Sequence, residues 1–544
     1  MQSRSFEISG NIVDVVGKRV FQGTVVIKEG VIESIREGKT GSGRYILPGL
    51  IDSHIHIESS MLIPTEFARL AVVHGTVATV SDPHEIANVL GVPGVKFMIE
   101  NGKKSSFKFN FGAPSCVPAT PFETAGAVLG VKEIEELLST DDIRYLSEMM
   151  NFPGVLFNDK EVMAKLEVAR KLGKPVDGHA PGLKGDDALK YIHAGISTDH
   201  ECFTMDEALD KIRGGMFILI REGSAAKNFD SLSPLYNEYP EKIMLCSDDK
   251  HPNDLAEGHI NELVKRALLK GYELMDVLRS CTYNPVKHYR LNVGLLQTGD
   301  PADLIVIDNL HDFNVLETYV DGIMVAENGK SLLSSIREQP FNKFEIDTLH
   351  EQDILVRQEP GLLKVQKALD GQLITEMITV EPAVSDCFVI SDPGRDILKM
   401  VVKNRYNEAP AAIGFIGNMG LKKGAIASCV AHDSHNIIAV GADDASIVAA
   451  INLVIGSKGG IAIVDNEKSM LLPLPFAGIM SGEDGYLVAA QYDLMDKKTK
   501  EMGSKLRAPF MTLSFMALLV IPAIKLSDKG LFDGNKFSFT PLFQ

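Results

Sequence analysis

Short apolar runs alternate with amphipathic, helix-like segments from residue 49 to residue 289, and this alternation constrains the fold more than any other feature of the chain. Such alternation predicts a mixed α/β protein built around a (β/α)₈ barrel, with functional side chains at the carboxyl ends of the strands. The first predicted strand contains Leu50 and Ile51. Further strands are predicted at residues 76–80, 107–111, 145–147, 175–177, 197–199, 216–220 and 242–246, and helices at 132–138, 159–172 and 260–279.

The regions that flank the barrel have a different pattern. Residues 1–48 and 290–335 alternate apolar and polar positions between glycines, which is typical of short strands. Because a few strands are unstable alone, we expect the two regions to combine into one small β-sandwich domain that is split in the sequence. Residues 336–544 are predicted to form an additional C-terminal α+β domain with glycine-rich turns, one of them at residues 456–460.

Composition and charge exclude several classes of partner. The formal net charge of -17 argues against nucleic acid and favours a small-molecule ligand. Six cysteines are scattered singly, as is typical of reduced thiols in the cytoplasm. The N-terminus lacks the pattern of a secretory signal, and the longest apolar run, at residues 510–521, is too short to cross a bilayer. We therefore expect a cytoplasmic protein with no membrane partner.

The first predicted strand ends in a His-x-His pair. Because side chains alternate along a strand, His54 and His56 point the same way and are able to hold one divalent cation. Two hydrogen-bonded histidines would give the same pattern. The context favours the metal site, because further His, Asp and Glu residues follow the other predicted strands.

Side chains at the ends of five predicted strands suit a pair of divalent cations. They are His54, His56, Glu148, His179, His200 and Asp248. Two cations would lower the pKa of a bridging water towards neutrality and so produce a hydroxide nucleophile. Glu148 would bridge the cations, because it has two oxygens, and Asp248 would accept the proton of the water.

Each of these residues also has a simpler interpretation. Glu148 would otherwise be a carboxylate at the start of a helix, stabilised by the helix dipole. Asp248 or Asp249 would otherwise cap the helix that follows. His179 and His200 would otherwise be hydrogen-bonded barrel residues. The histidines in helical or loop contexts are predicted to be structural or surface residues: His74, His193, His251, His259, His288, His311 and His350.

Several segments resemble the amidohydrolase superfamily of metal-dependent hydrolases. The run Pro48-Gly-Leu-Ile-Asp-Ser-His-Ile-His56 carries this resemblance, together with the later histidines and Asp248. More narrowly, the chain is similar to the bacterial adenine deaminase family over nearly its whole length. The motifs of that similarity lie at residues 54–61, 74–75, 81–88, 148–154, 177–182, 198–201, 246–249, 431–436 and 472–475.

The resemblance implies hydrolysis of adenine to hypoxanthine and ammonia, through a metal-activated bridging hydroxide that attacks C6. It implies two divalent metal ions per chain, manganese or iron, and the same ligand types also accept zinc. His54, His56 and Asp248 would hold the first metal. His179 and His200 would hold the second, and Glu148 would bridge where many members of the superfamily have a carboxylated lysine.

Glu85 is the candidate proton shuttle, since it follows the second strand and the reaction needs N1 of the purine protonated as hydroxide adds to C6. A salt bridge or a contact to a metal ligand is its alternative role. Asp82 and His84 are candidates for contacts to the substrate or to the metal ligands. His432 and His435 lie in a loop or a helix start that either covers the substrate or forms a polar turn.

Two other functions stay open from the sequence. Barrel chemistry alone does not separate adenine from a pyrimidine, a hydantoin or a modified adenine, so another cyclic amidine or amide hydrolase is the alternative. A catalytically inactive scaffolding relative is a further alternative, but it would lack some candidate ligands, and all of them are present. Apolar segments in the C-terminal region favour a homodimer or a larger homo-oligomer.

Overall fold

A computed structural model describes residues 5–466 and 468–544, and its first strands belong to a sheet that the chain completes only after the barrel. These strands are β1 (Ser5–Asp14), β2 (Arg19–Lys28), β3 (Val31–Glu37) and β4 (Tyr45–Pro48). β1 and β3 each pair antiparallel with β2, and β4 runs parallel to β1. Since Gly49 alone separates β4 from the first barrel strand, this sheet fixes where the barrel begins.

Eight parallel strands form the barrel that the sequence predicts. They are β5 (Leu50–Ile55), β6 (Thr76–Ser81), β7 (Lys108–Ala113), β8 (Ile143–Met149), β9 (Val176–Gly178), β10 (Thr198–Asp199), β11 (Phe217–Arg221) and β12 (Ile243–Cys246). Parallel ladders join β5 through β9 and β10 through β12. The ring closes because the Ser197 amide donates to the Val176 carbonyl at 2.9 Å, and the Asp248 amide to the His54 carbonyl at 2.9 Å.

Helices connect the barrel strands. They are α1 (Pro64–Ala71), α2 (His84–Leu90), α3 (Val92–Gly102), α4 (Val131–Leu138), α5 (Phe152–Leu156), α6 (Lys160–Lys171), α7 (Gly185–His193), α8 (Met205–Arg213), α9 (Phe229–Leu232), α10 (Pro252–Glu257), α11 (Ile260–Leu269), α12 (Leu274–Ser280) and α13 (Tyr283–Tyr289). The prediction of one continuous helix over residues 260–279 is wrong. Gly271 has a φ of +86°, in the left-handed region that favours glycine, and it separates α11 from α12.

After the barrel the chain returns to its first sheet. The returning strands are β13 (Leu304–Ile307), β14 (Val315–Val320), β15 (Ile323–Glu327) and β16 (Lys330–Ser331). β13 pairs antiparallel with β4, which gives the strand order β16-β15-β14-β13-β4-β1-β2-β3. Strands from before and after the barrel therefore share one eight-stranded sheet.

The remaining region is built on a second eight-stranded sheet, in the order β18-β17-β22-β21-β24-β23-β25-β26. The elements here are β17 (Leu363–Ala368), β18 (Thr375–Val380), β19 (Val384–Ser385), β20 (Phe388–Val389), β21 (Ile397–Lys403), β22 (Ala412–Gly417), β23 (Ala425–Ser428), β24 (Ile437–Gly441), α14 (Asp444–Gly456), β25 (Gly460–Asp465), β26 (Lys468–Pro473), α15 (Gly485–Glu501), α16 (Pro509–Ser514), β27 (Ile524–Ser527), β28 (Gly530–Asp533) and β29 (Ser538–Phe539). The turn between β23 and β24 reaches the barrel, where the Asn436 side-chain amide donates to the Thr124 carbonyl at 2.9 Å.

The apolar run at residues 510–521 is mostly buried, with α16 at its start, and it packs into the main core of the protein. None of the helices in the described part of the chain has the length and apolar character that a bilayer crossing requires.

Gly459 is a position that should not tolerate a side chain. Its φ is +129°, and a Cβ there would lie 2.3 Å from the Gly478 Cα. Gly459→Ala is therefore expected to lower the free energy of unfolding by about 1–3 kcal/mol or more. Gly456→Ala is the matched control, because that glycine ends α14 with open space beside it, and it should be neutral or stabilising. Urea denaturation measures both, and equal stability of the two variants would contradict this packing.

Candidate functional site

The six side chains predicted as metal ligands converge at the carboxyl ends of the barrel strands. His54 is in β5 and Glu148 in β8, while His56, His179, His200 and Asp248 come just after β5, β9, β10 and β12. All six are buried, which is rare for charged side chains unless they are paired or bind a metal. The closed barrel brings them together from five strands.

His54, His56 and Asp248 form the first group of donor atoms. The Nε2 atoms of the two histidines lie 3.3 Å apart, and both face Asp248 Oδ1, at 3.5 Å from His54 and 3.3 Å from His56. The Nδ1–H of His56 donates to the Asp82 carbonyl at 3.1 Å, which leaves Nε2 with a free lone pair. A metal-binding histidine has this arrangement, since its other nitrogen usually donates to the protein.

Glu148, His179 and His200 form the second group. Glu148 Oε2 lies 2.7 Å from His179 Nδ1 and 3.2 Å from His200 Nε2. Its other oxygen, Oε1, lies 3.4 Å from His56 Nε2, so one carboxylate faces both groups. Burial alone would raise the pKa of Glu148, but His179 and His200 hold that pKa well below its usual range.

These donors fit divalent cations. His54, His56 and Asp248 offer donor atoms within 4.8 Å of one another, and so do His54, Glu148 and His200. The ring nitrogens that face the carboxylates are His54 Nε2, 3.5 Å from Asp248 Oδ1, and His179 Nδ1, 2.7 Å from Glu148 Oε2. Imidazole and carboxylate are ligands for zinc, manganese and iron alike. The residues present are therefore suited to a divalent metal centre.

Arg221 and Glu201 contact the two donor groups. Arg221 is not among the residues predicted from the sequence. This arginine is fully buried at the end of β11, where it pairs with Glu201 and, at 2.5 Å, with Asp248 Oδ2. Burial would raise the pKa of Asp248, but the guanidinium holds it well below its usual range. Glu201 Oε1 lies 3.7 Å from His179 Nδ1 and 3.6 Å from His200 Nε2. In the sequence, the signal for this residue is an arginine at the end of the otherwise apolar strand β11.

Asp82 and His84 lie beside the donor groups. His84 Nδ1 is 3.2 Å from Asp82 Oδ2 and 3.4 Å from Glu148 Oε1. On its other side, His84 Nε2 is 3.8 Å from Asp433 Oδ1, which belongs to the turn between β23 and β24. His84 therefore connects the second sheet region to the barrel site.

The helix-capping alternatives for the carboxylates are wrong. Asn151 caps α5, since its Oδ1 accepts from the Gly154 amide at 2.9 Å. Over the described residues, α10 has no side-chain cap, so neither Asp248 nor Asp249 caps the helix that follows them. Asp249 Oδ1 instead lies 2.5 Å from Ser59 Oγ, and burial raises the pKa of Asp249 to about 6.

Glu85 lies at the start of α2 and is surrounded by hydrogen-bond donors. Ser59 Oγ and His432 Nδ1 each lie 3.0 Å from its Oε1, and the Ser59 hydroxyl has Asp249 Oδ1 as a second, closer carboxylate neighbour. The His432 ring stacks on Phe515, with centroids 4.3 Å apart and an interplanar angle of 11°. The turn that carries His432 thus reaches the barrel mouth, as the sequence analysis considered.

The seven other histidines lie outside the donor groups found in the described part of the chain. His259 is buried with its Nε2 2.8 Å from Asp52 Oδ2, a carboxylate that also accepts from the Ser247 amide and holds β5 against β12. Three more are exposed, namely His193, His311 and His350. The positions of these four histidines agree with the predicted structural and surface roles.

The site encloses a small cavity. Its walls include candidate metal ligands, Glu85 and His432, together with the apolar side chains of Phe515, Leu518 and Leu373. The free volume is about 20 Å³, which is room for a water molecule and far less than the ~300 Å³ at which small-molecule pockets begin. An apolar cavity of about 630 Å³ adjoins it and shares Leu373 with it.

Comparisons with known families match both halves of the chain. Residues 45–325 match the family described as "Amidohydrolase family", and residues 372–538 match "Adenine deaminase C-terminal domain". The barrel with its site and the second sheet region therefore each match a described family.

Relatives match over nearly the full length. A protein named adenine deaminase from Methanosarcina mazei is 53% identical over 98% of this chain and 99% of its own. One with the same name from Sulfurovum sp. is 54% identical over 98% of this chain and 99% of its own. Among solved structures, a beta-aspartyl dipeptidase from Fervidobacterium islandicum is 15% identical, with a TM-score of 0.47, over 61% of this chain and 100% of its own.

Proposed function

This chain belongs to the adenine deaminase family of amidohydrolases, and from that premise we propose that it hydrolyses adenine to hypoxanthine and ammonia at the barrel cavity. The observation that carries the proposal is the position of Glu148, whose two oxygens face the two histidine groups. Full-length similarity to adenine deaminases supports adenine over the other cyclic amidines and amides that the barrel alone leaves open.

We propose two divalent cations per chain, manganese or iron, with zinc compatible with the same ligand types. His54, His56 and Asp248 would hold the first, and His179 and His200 the second, with Glu148 between them. When bound, such cations lower the pKa of a coordinated water towards neutrality and make a nucleophile available near pH 7.

The chain's own residues would then move the protons. Glu85 carries one proton of the attacking water to N1 of adenine, because its Oε2 is buried without a partner among the described residues and lies at the cavity. Asp248, held ionised by Arg221, carries the other proton to the departing amine. The two protons of the water thus end on N1 of hypoxanthine and on ammonia.

Adenine entry requires the cavity wall to move. Phe515 and Leu518 line the cavity on the side of the second sheet region, and Met150, Glu201 and Leu373 line both this cavity and the larger apolar one. Displacement of these side chains would join the two spaces. The predicted cytoplasmic location and homo-oligomeric state remain predictions.

The first expected result is turnover of adenine by protein purified with manganese. The decrease in adenine absorbance and the release of ammonia measure it, with adenosine and cytosine as control substrates. Turnover of adenine but not of the controls is expected. No turnover of adenine by protein that contains two metals per chain would contradict the proposed substrate.

His179→Ala is expected to lower the metal content below two per chain and to abolish turnover, because it removes a donor of the second group. Elemental analysis of the purified variant measures the metal. His193→Ala is the matched control, since that histidine is exposed on α7, and it should keep full metal content and activity. Retention of metal and activity in His179→Ala would remove this residue from the site.

Glu85→Gln is expected to keep two metals per chain while kcat falls by about 10²-fold or more, the usual loss for a missing acid/base group. The glutamine keeps the shape of the side chain but does not take up a proton. Steady-state kinetics on adenine, with metal content measured on the same sample, test this. Unchanged kcat would move the shuttle to another residue, with His84 the next to examine.

A further inference from the structure

Among residues 5–466 and 468–544, His432 is the one residue of the second sheet region that lies within hydrogen-bonding distance of Glu85, the proposed proton shuttle. Its ring is 2% exposed and stacks on Phe515, so its orientation is fixed from one face. Its Nδ1 points at Glu85 Oε1, at 3.0 Å. Since a carboxylate oxygen only accepts, the histidine nitrogen is the donor.

The protons on the two histidines of this turn can be assigned from their partners. His435 Nδ1 accepts from the Ala431 amide at 3.3 Å, so the proton of a neutral His435 is on Nε2, which lies 3.8 Å from Glu85 Oε2. A cation held by Glu85, His432 and His435 would need that Nε2 free of its proton. In this tautomer both histidines face Glu85 with N–H groups, an arrangement that favours hydrogen bonding to the carboxylate over a third metal site.

We propose that His432 is a positioning residue for Glu85, whose Nδ1–H holds Oε1 and leaves Oε2 ionised and free to take a proton from the attacking water. The proposal rests on the proposed function, because it assigns His432 to the same proton transfer. Ser59 Oγ also lies 3.0 Å from Oε1, although its single proton is shared with Asp249, so the barrel and the second sheet region both contact this carboxylate. Burial would raise the pKa of Glu85, but His432 and His435 hold it well below its usual range.

The Glu85–His432 pair makes the second sheet region part of the catalytic apparatus. Glu85 comes from the barrel and His432 from the turn between β23 and β24. Among the contacts described here, a barrel without that turn would leave Glu85 with the Ser59 hydroxyl, which Asp249 also contacts, as its remaining hydrogen-bond donor. The full chain is therefore the unit in which the role of His432 must be tested.

His432→Asn and His432→Gln are the matched pair of variants, each assayed on adenine with its metal content and thermal unfolding measured. The Asn side chain places an N–H group where His432 has Nδ1, whereas the Gln side chain places it where His432 has Nε2. We expect kcat of His432→Gln to fall about 10–100-fold, the loss expected for a hydrogen bond to a charged group, with KM and metal content little changed. His432→Asn should retain a larger share of kcat.

Equal loss in both variants, or a rise in KM at constant kcat, would overturn the proposal, because the donor position would then not matter or the histidine would contact the substrate instead. His311→Gln controls for the loss of an exposed histidine and should leave kcat unchanged.

A double variant supplies the second test. If His432 acts through Glu85, then Glu85→Gln combined with His432→Gln should be no slower than Glu85→Gln alone, within about twofold. Multiplied losses would overturn the proposal. Failure of the proposed function is distinguishable, since the unaltered protein would then not turn over adenine in the same assay.

Discussion

The whole site depends on the burial of several carboxylates beside imidazoles and one arginine, at the carboxyl ends of the barrel strands. Removing a charge from water costs several kcal/mol unless a nearby partner compensates for the lost hydration. His179 and His200 stabilise the charge of Glu148, and Arg221 stabilises that of Asp248. The barrel makes this possible because parallel strands deliver all the groups to one edge, where a few residues after each strand are enough to complete the set.

The second sheet region contributes to the burial of these groups. Strand ends alone leave Glu85 and His84 facing a space that water would fill. The turn between β23 and β24 covers that space with His432 and Asp433, each directed at one of those barrel residues. A polar cover matters here, because an apolar one would leave a buried carboxylate with fewer donors. The second region thus adds hydrogen-bond donors as well as shape.

Strand-end residues could be predicted from the sequence, whereas contacts between distant loops could not. The ends of β5, β8, β9, β10 and β12 follow from alternation and from the rule that barrel sites lie at carboxyl ends. The Arg221 contacts could not be predicted, because they depend on the directions in which side chains at the ends of three strands point. The break between α11 and α12 was missed because Gly271 lies within a run that is otherwise helical in its apolar spacing.

Closure of the cavity and orientation of Glu85 involve the same aromatic contact. Phe515 lines the cavity and also stacks on His432, which in turn holds Glu85. A free volume of about 20 Å³ is too small for a purine, so the cavity would have to enlarge before one could bind. Phe515 supports one face of the His432 ring, so a displacement of Phe515 would also remove that support from the contact between His432 and Glu85. The proposed proton transfer would therefore be favoured with Phe515 in place and bulk water excluded.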